Sequence, residues 1–414
     1  MRDRRLALAA AAVVVALVAM SGCSGHAAGD PKPLNGGGSS SSEAAAAQVP
    51  LKVVSIKPQK LRATRTITVN FDSPLSAQSP LPTLKPAIPG SWARVGSAAV
   101  FTPTQAYPPD TTIKVRVKRT VDAKRKVVAT RTTPNGSLLG AQEILARLHY
   151  LPLSTTAPAP TSAAGEAGLV YDPPSPGFSW RYSDVPKVLK QDWSVGKNGN
   201  VLRGAVIAFQ HQVGLPLDGF VGPLTWHALM KADLADNTDP DHYSFVSANL
   251  YLPQQLSVWV DGHTVLSSPV NGGVSGAPTP LGTYPVYERF TSTTMQGTNP
   301  DGSKYNDPGV PWVNYFSGGS AVHGFPRASY GFPQSVGCLE LPIPTAAKVF
   351  KMIDYGTLVN VAGPFVPAST ATPSPPASPT PSKSTTPKPT HKPSPAATPS
   401  KSHKPSTKPS TNAS

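Results

Sequence analysis

The residues best suited to chemistry in this sequence lie in one stretch, "HGFPRASYGFPQSVGCLEL", which runs from His323 to Leu341. It contains Cys338, one of two cysteines in the 414 residues, and a histidine fifteen positions upstream of it. A thiol near its ordinary pKa is mostly protonated at neutral pH, so a cysteine nucleophile needs a base within hydrogen-bonding distance. At this point two interpretations are open: a nucleophile with its base, or a buried inert thiol near an unrelated histidine.

The N-terminus indicates export. In "MRDRRLALAAAAVVVALVAMSGC", three arginines precede an apolar run from Leu6 to Met20, and small residues then lead to Cys23. This order predicts a secretory signal peptide over residues 1–22, because the run is too short for a transmembrane helix. "MSGC" resembles a bacterial lipobox, which implies a lipid-modified Cys23 and a membrane anchor, with an ordinary signal peptide as the alternative. The Gly-, Ser- and Ala-rich residues 23–49 are predicted to be a flexible tether.

Export changes the interpretation of the second cysteine. Exported proteins tend to use cysteines in disulfides, and a lipidated Cys23 leaves Cys338 without a partner. A lone exported thiol is prone to oxidation and is expected to persist mainly where its reactivity is useful.

The formal net charge of +15 is unevenly distributed. Residues 51–131 hold fifteen Lys and Arg against three Asp, and the Pro-, Ser- and Thr-rich tail at 366–414 adds six Lys and no acid. That tail is too poor in large apolar residues to form a core and is predicted to be disordered. Since an exported protein seldom meets nucleic acid, we expect anionic wall polymers or lipid head groups as the partners of this charge.

Three folded regions are predicted between these ends. Residues 50–133 alternate with period two, as in "TIKVRVKRTV", where Ile113, Val115 and Val117 share one face. They predict a β-sandwich that resembles bacterial Ig-like domains and acts as a spacer arm. Residues 137–235 contain amphipathic helices around a Pro-, Ala- and Gly-rich insertion at 154–178. Their "AVIAFQ" and "DGFVGPLTWHAL" resemble the small three-helix peptidoglycan-binding domain.

The third region, residues 243–363, is rich in strands and contains the opening stretch. Residues 255–270 alternate about Asp261-Gly262, which predicts a β-hairpin turn. "TPLGTYPV", "AVHGFP", "SVGCLELP" and "YGTLVNV" together resemble the L,D-transpeptidase catalytic domain. The resemblance implies a mostly β fold whose cysteine attacks a peptidoglycan tetrapeptide stem between diaminopimelate and the terminal D-alanine. The resulting thioester would pass its acyl group to the amine of a second stem.

The resemblance also implies a role for each matching position. Cys338 would be the nucleophile, His323 its base and Gly324 the backbone carbonyl that orients the imidazole. The amides of Gly337 and Cys338 would form the oxyanion hole. Predicted substrate contacts are Ser335, Tyr330, Tyr315 and Trp312. Further aromatic residues that could wall the cleft are Tyr284, Tyr305 and Phe332.

Two positions depart from the common family pattern. Val336 stands where the family usually has His, and Glu340 where it has Asn or Arg, so stem choice and rate are in doubt while the reaction class is retained. Other classes stay open, namely an L,D-carboxypeptidase with the same site and a non-catalytic wall-binding adaptor. A zinc peptidase is excluded because none of the nine histidines forms an H-x-H pair, and no metal or organic cofactor is implied.

Overall fold

The computed structural model describes residues 50–120, 123–175 and 177–364. The signal peptide, Cys23, the tether and the C-terminal tail lie outside the described residues, so the expectations for them remain predictions. All elements below belong to one unit that begins at Leu51. Among the described residues, no helix has the length and apolar character needed to cross a membrane.

The first region consists of seven strands in two antiparallel sheets. They are β1 (Val53–Lys57), β2 (Ile67–Phe71), β3 (Thr83–Lys85), β4 (Gly90–Val95), β5 (Ala98–Pro103), β6 (Thr112–Val117) and β7 (Lys126–Thr132). The sheet orders are β1-β2-β5-β4 and β3-β6-β7. Ile113, Val115 and Val117 are buried in a core that both sheets share, which confirms their predicted common face.

The second region is more elaborate than the predicted three helices. Its elements are α1 (Leu138–Arg147), β8 (Leu153–Thr155), α2 (Ala163–Tyr171), β9 (Phe178–Trp180), α3 (Lys187–Gln191), α4 (Asn200–Gln212) and α5 (Pro223–Leu234). The 154–178 insertion therefore carries α2 and much of the β8–β9 hairpin. Ser162 begins α2 by accepting a hydrogen bond from the N–H of Gly165 at 3.1 Å, which is a standard N-cap.

Hydrogen bonds explain the spacing of the "AVIAFQ" and "DGFVGPLTW" segments. The amide of Gln210, buried at the end of α4, donates to Asp218 Oδ1 at 2.7 Å and to Thr225 Oγ1 at 3.0 Å. Its carbonyl oxygen accepts from the N–H of Gly219 at 2.9 Å. Because one buried amide joins α4, the turn and α5, these motif residues hold the loop between the two helices in place. Helix α5 starts with a proline, Pro223, which is favoured at the first position of a helix.

The third region contains two sheets and one helix. Its elements are β10 (Ser244–Asn249), β11 (Gln255–Val260), β12 (His263–Pro269), β13 (Gly282–Pro285), β14 (Glu288–Thr298), β15 (Lys304–Ser317), β16 (Ser320–Gly324), β17 (Leu339–Leu341), α6 (Ile343–Met352) and β18 (Leu358–Ala362). The sheet orders are β12-β11-β10-β18-β13 and β14-β15-β16-β17. Asp261 and Gly262 both have positive φ and join β11 to β12, which confirms the predicted hairpin turn.

The five-stranded sheet packs on both faces. Val246, Val258 and Val359 face a core that also contains Val322, Leu339 and residues of α6. Their sequence neighbours Phe245, Trp259 and Leu358 point the other way, because side chains alternate along a strand. These three are buried in the same cluster as the residues of α1, α4 and α5.

Close contacts secure this shared core between the second and third regions. The backbones of α4 and of the turn before β18 approach so closely that a Cβ on Gly204 would lie 2.5 Å from the carbonyl oxygen of Gly356. His211 stacks on Tyr355 with ring centroids 4.1 Å apart. Trp259 Nε1 donates to the carbonyl oxygen of Asp184 at 2.6 Å. The helical region and the five-stranded sheet are therefore joined by packing as well as by the chain.

Candidate active site

Two adjacent parallel strands bring the predicted nucleophile and base to the same edge of the four-stranded sheet. His323 lies on β16, and Cys338 immediately precedes β17. The strands pair in register, Val322 with Leu339 and His323 with Glu340. Short parallel strands separated by a long loop thus bring residues fifteen positions apart in sequence onto neighbouring strands. The thiol of Cys338 itself donates to the carbonyl oxygen of Gly319 at 3.8 Å.

The imidazole of His323 is buried and oriented by the backbone. His323 is 2% exposed, and Nδ1 of its ring lies 3.1 Å from the carbonyl oxygen of Gly324. Since a carbonyl only accepts hydrogen bonds, this contact places the proton of the neutral ring on Nδ1 and leaves Nε2 as a free acceptor. Burial lowers the pKa of His323, although the Gly324 contact and the charge of Glu340 oppose that shift.

The thiol of Cys338 lies in a mainly apolar environment. It packs beside Val310, Val313 and Ala321. Burial raises its pKa to about 11, even though the backbone N–H of Ala321 favours the thiolate. With the pKa of the imidazole lowered and that of the thiol raised, both groups are neutral at pH 7 in the resting site.

The turn before the nucleophile depends on glycine. Gly337 has φ of +104°, in a region that L side chains rarely adopt. Two hydroxyls fix the next peptide: Ser335 Oγ donates to the carbonyl oxygen of Cys338 at 2.7 Å, and Thr279 Oγ1 donates to the same oxygen at 3.3 Å. With that carbonyl oxygen held by two donors, the peptide on the C-terminal side of Cys338 has a fixed orientation.

Glu340 forms a buried ion pair that the sequence did not reveal. Its carboxylate receives Nε of Arg327 at 2.8 Å and Nη2 at 2.7 Å, a two-point geometry that favours a guanidinium partner. The side chain of Glu340 is 5% exposed and that of Arg327 is 29% exposed. Arg327 also donates to the carbonyl oxygen of Gln334 at 3.3 Å. The unusual carboxylate therefore anchors the loop that leads to the nucleophile.

A buried asparagine holds the same loop from the other side. Asn271 is fully buried, and its Oδ1 accepts from the N–H of Gly331 at 3.0 Å. Its backbone exchanges two hydrogen bonds with that of Glu340, at 3.0 and 2.9 Å. A polar residue directly after Pro269 and the apolar Val270, just past the end of β12, is the signal that could have identified it.

The predicted substrate contacts lie in different places. Tyr315 packs against the cluster that contains the thiol. Burial raises its pKa, and a neighbouring Cys338 thiolate raises it further; the same two causes act on Tyr305. Ser335 is 1% exposed, and Tyr330 donates its hydroxyl to the carbonyl oxygen of Phe325 at 2.5 Å. Trp312 packs on Phe350 of α6, with centroids 5.6 Å apart.

Tyr315 is thus the tyrosine that packs in the same cluster as the thiol. Tyr330 supports the loop, while Trp312 supports the sheet behind the site. Val336, which stands where a histidine is usual in the family, is 37% exposed. Within the described part of the chain, no group of three or more His, Cys, Asp or Glu side chains is arranged to hold a metal ion.

The comparison with protein families agrees with this geometry. Residues 243–361 match the family model of the L,D-transpeptidase catalytic domain, and residues 182–229 match that of a putative peptidoglycan-binding domain. Two consecutive segments of the chain are thus similar to known domains, the first to a putative peptidoglycan-binding domain and the second to the L,D-transpeptidase catalytic domain. The second match spans α3 to α5, so α1 and α2 precede the matched segment. No curated protein matches the sequence significantly.

Solved structures with detectable similarity include several L,D-transpeptidases. One from Mycobacterium smegmatis is 14% identical, covering 76% of this chain and 99% of its own, with a TM-score of 0.27. L,D-transpeptidase 3 from Mycobacterium tuberculosis is 13% identical over 75% of this chain and 98% of its own, with a TM-score of 0.27. The catalytic domain of the E. faecium enzyme is 25% identical over 30% of this chain and all of its own, also at 0.27.

Proposed function

We propose that the protein is an exported L,D-transpeptidase that crosslinks peptidoglycan through a thioester on Cys338, with His323 as the base. The observation that carries this proposal is the imidazole of His323, which is buried on β16 and held at Nδ1 by the Gly324 carbonyl. The strand that carries His323, β16, pairs with β17, and β17 begins directly after Cys338. A base oriented by a third group beside a nucleophile is the arrangement that covalent acyl transfer requires.

The first half of the reaction forms the acyl-enzyme. Sγ of Cys338 attacks the carbonyl carbon between diaminopimelate and D-alanine while Nε2 of His323 accepts the thiol proton. The amides of Gly337 and Cys338 donate to the developing oxyanion, where loss of one donor typically costs about 100- to 1,000-fold in rate. The carbon–nitrogen bond then breaks, and the imidazolium protonates the nitrogen of the departing D-alanine.

The second half transfers the acyl group. The amine of a second stem attacks the thioester, Nε2 takes a proton from that nitrogen, and Sγ leaves as a thiolate. Return of the proton to sulfur restores the neutral pair. Because both resting groups are neutral, proton transfer accompanies attack, in contrast to sites that store a preformed thiolate–imidazolium pair.

The remaining regions would bring the enzyme to its substrate. Residues 182–229 would hold it on peptidoglycan, in keeping with the family match. The predicted signal peptide and lipidated Cys23 would anchor it to the outer face of the cell membrane. Residues 50–133 would act as an Ig-like spacer between that membrane and the wall. No organic cofactor or metal takes part in the proposed reaction.

Incubation with a disaccharide-tetrapeptide tests the proposal and separates it from the alternatives. We expect a crosslinked dimer, free D-alanine and an enzyme adduct with the mass of the disaccharide-tripeptide acyl group. Cys338→Ala should abolish all three and His323→Gln should reduce them, while the exposed helical His227→Gln, a matched control, should leave them unchanged.

Each alternative predicts a different product pattern. Tripeptide and D-alanine without dimer would identify an L,D-carboxypeptidase, in which water replaces the acceptor amine. Full activity in folded Cys338→Ala would refute the thioester mechanism. If the wild-type protein gave neither adduct nor D-alanine but bound peptidoglycan, the adaptor function would replace the proposed one.

A further inference from the structure

A groove opens along the side of the first region, between its two sheets. Strand β1 is the outer strand of one sheet and β7 the outer strand of the other. The space between them has a volume of about 780 Å³, within the usual range for ligand sites. Arg131 of β7 closes one end by donating to the carbonyl oxygens of Pro58 and Ile56, at 2.7 and 3.0 Å.

The other end of the groove is lined by basic residues. Lys52, Arg119, Lys124 and Lys126 line it, and all four are exposed. They gather there because the N–H of Leu51 donates to the carbonyl oxygen of Arg119 at 3.0 Å, which places the start of β1 beside the end of β6.

The described lining contains no acidic residue to balance this charge. Asp72 lies close by, but its carboxylate accepts the backbone N–H of Lys52 at 3.0 Å. Asp122, the neighbouring acid in the sequence, lies outside the described residues. The described groove is thus a concave surface of one charge, and such a shape concentrates the field of its cations.

Apolar side chains form the walls between the two basic ends. Val54 and Val127 are 66% and 51% exposed, and Val128 is 39% exposed. Exposed apolar side chains framed by polar residues commonly mark an interaction surface. Charge at the ends with apolar walls between them matches a chain whose anionic groups alternate with uncharged linkers.

We propose that this groove binds an extended phosphodiester polymer, such as a polyol-phosphate chain. Lys and Arg both bind phosphate oxygens through charge-assisted hydrogen bonds, and the valines would contact the carbon backbone between phosphates. A concave groove fits a single chain rather than a flat bilayer, and the lysine-rich tail of this protein carries the wrong charge to occupy it. Binding here would hold the arm on an anionic polymer, independently of Cys338.

Lysine footprinting on the full-length chain tests this directly. The chain is acetylated with and without poly(glycerol phosphate), and each modified lysine is located by mass spectrometry. We expect Lys52, Lys124 and Lys126 to react at least fivefold more slowly with the polymer present. Internal controls are exposed lysines of the same region that do not line the groove, namely Lys57, Lys60 and Lys114.

Two variants of equal charge extend the test to affinity. The groove variant combines Lys52→Gln, Lys124→Gln and Lys126→Gln; the control variant combines Lys57→Gln, Lys60→Gln and Lys114→Gln. We expect the groove variant to bind the polymer at least tenfold more weakly and with a salt dependence reduced by about two to three in log–log slope. The control variant should change affinity less than twofold, and neutral dextran should bind neither.

Four results would overturn the proposal. Equal losses of affinity in both variants would show that binding depends only on net charge. Protection confined to the tail lysines in the footprinting experiment would place the polymer on the tail. Groove-dependent binding to phosphatidylglycerol vesicles but not to soluble polymer would assign the surface to a bilayer. If no partner binds, the cations serve only to keep two outer strands from pairing with other chains, a common role of lysine at sheet edges.

Discussion

The protonation state of Cys338 provides a direct test of the resting site. Burial raises the pKa of this thiol to about 11, against about 8.5 for a free cysteine. At pH 7.5 the thiolate fraction is then about one in three thousand, compared with about one in ten for an exposed cysteine. Because iodoacetamide reacts with the thiolate, the thiol should be alkylated about 300-fold more slowly than a free one.

The assay follows alkylation of full-length Cys23→Ser, in which Cys338 is the one cysteine left, by intact-protein mass spectrometry. As the pH is raised from 6.5 to about 9.5, the rate should increase about tenfold per unit without a plateau. The same protein in denaturant is the control, and its rate should level off above about pH 8.5. A plateau below pH 8 in the folded protein would refute the neutral pair and indicate a stored thiolate.

Other parts of the fold give three further predictions. Arg327→Met leaves the Glu340 carboxylate buried without a partner and should cost about 3–5 kcal/mol in urea unfolding. Glu340→Gln should cost less because the guanidinium is partly exposed, and equal costs would contradict the pairing. Burial raises the pKa of Glu143 from 4.5 to about 7, so the folded chain binds this proton more tightly and stability falls as pH rises through that range. Relative to wild type, Glu143→Gln should therefore gain about 2 kcal/mol in free energy of unfolding between pH 5 and pH 8, and a pH-independent difference would exclude a buried acid. Gly204→Ala should lower Tm because its Cβ meets a carbonyl oxygen at 2.5 Å, whereas Gly168→Ala, with open space around it, should not; equal melting shifts would show that α4 is free to move.

The features predicted correctly from sequence are those set by local chemistry. Asp261-Gly262 favours one turn wherever it occurs, and the alternation at Ile113 to Val117 is a property of the strand itself. Helix α2 was missed because Pro and Gly dominate its surroundings and it contains two glycines. It packs through tertiary contacts instead: Glu166 accepts the N–H of Ala106 at 2.7 Å, and Gly140 of α1 lies against the backbone of Leu169.

The same distinction applies to the candidate site. Cys338, Gly337 and His323 could be proposed from sequence because their chemistry is carried by residue type and a short motif. Arg327 could not, since its importance depends on a buried partner thirteen positions away on another element. Asn271 was missed for the same reason. The aromatic substrate contacts remain predictions, because residue type alone does not distinguish Tyr315, which packs with the thiol, from Trp312, which packs on α6.

The apolar core shared through Phe245, Trp259 and Leu358 has a consequence for how the protein would reach its substrate. Two modules on a flexible linker sample many separations, and the second meets whatever lies within its tether. Here residues 182–229, proposed to hold the glycan, and the thiol of Cys338 would instead move as one rigid body. The distance between the bound glycan chain and the stem peptide at the active site would then be fixed by the fold. Crosslinks would form at a fixed distance along the glycan from the point of binding. Weaker packing between the second and third regions would make that distance variable without altering the reaction.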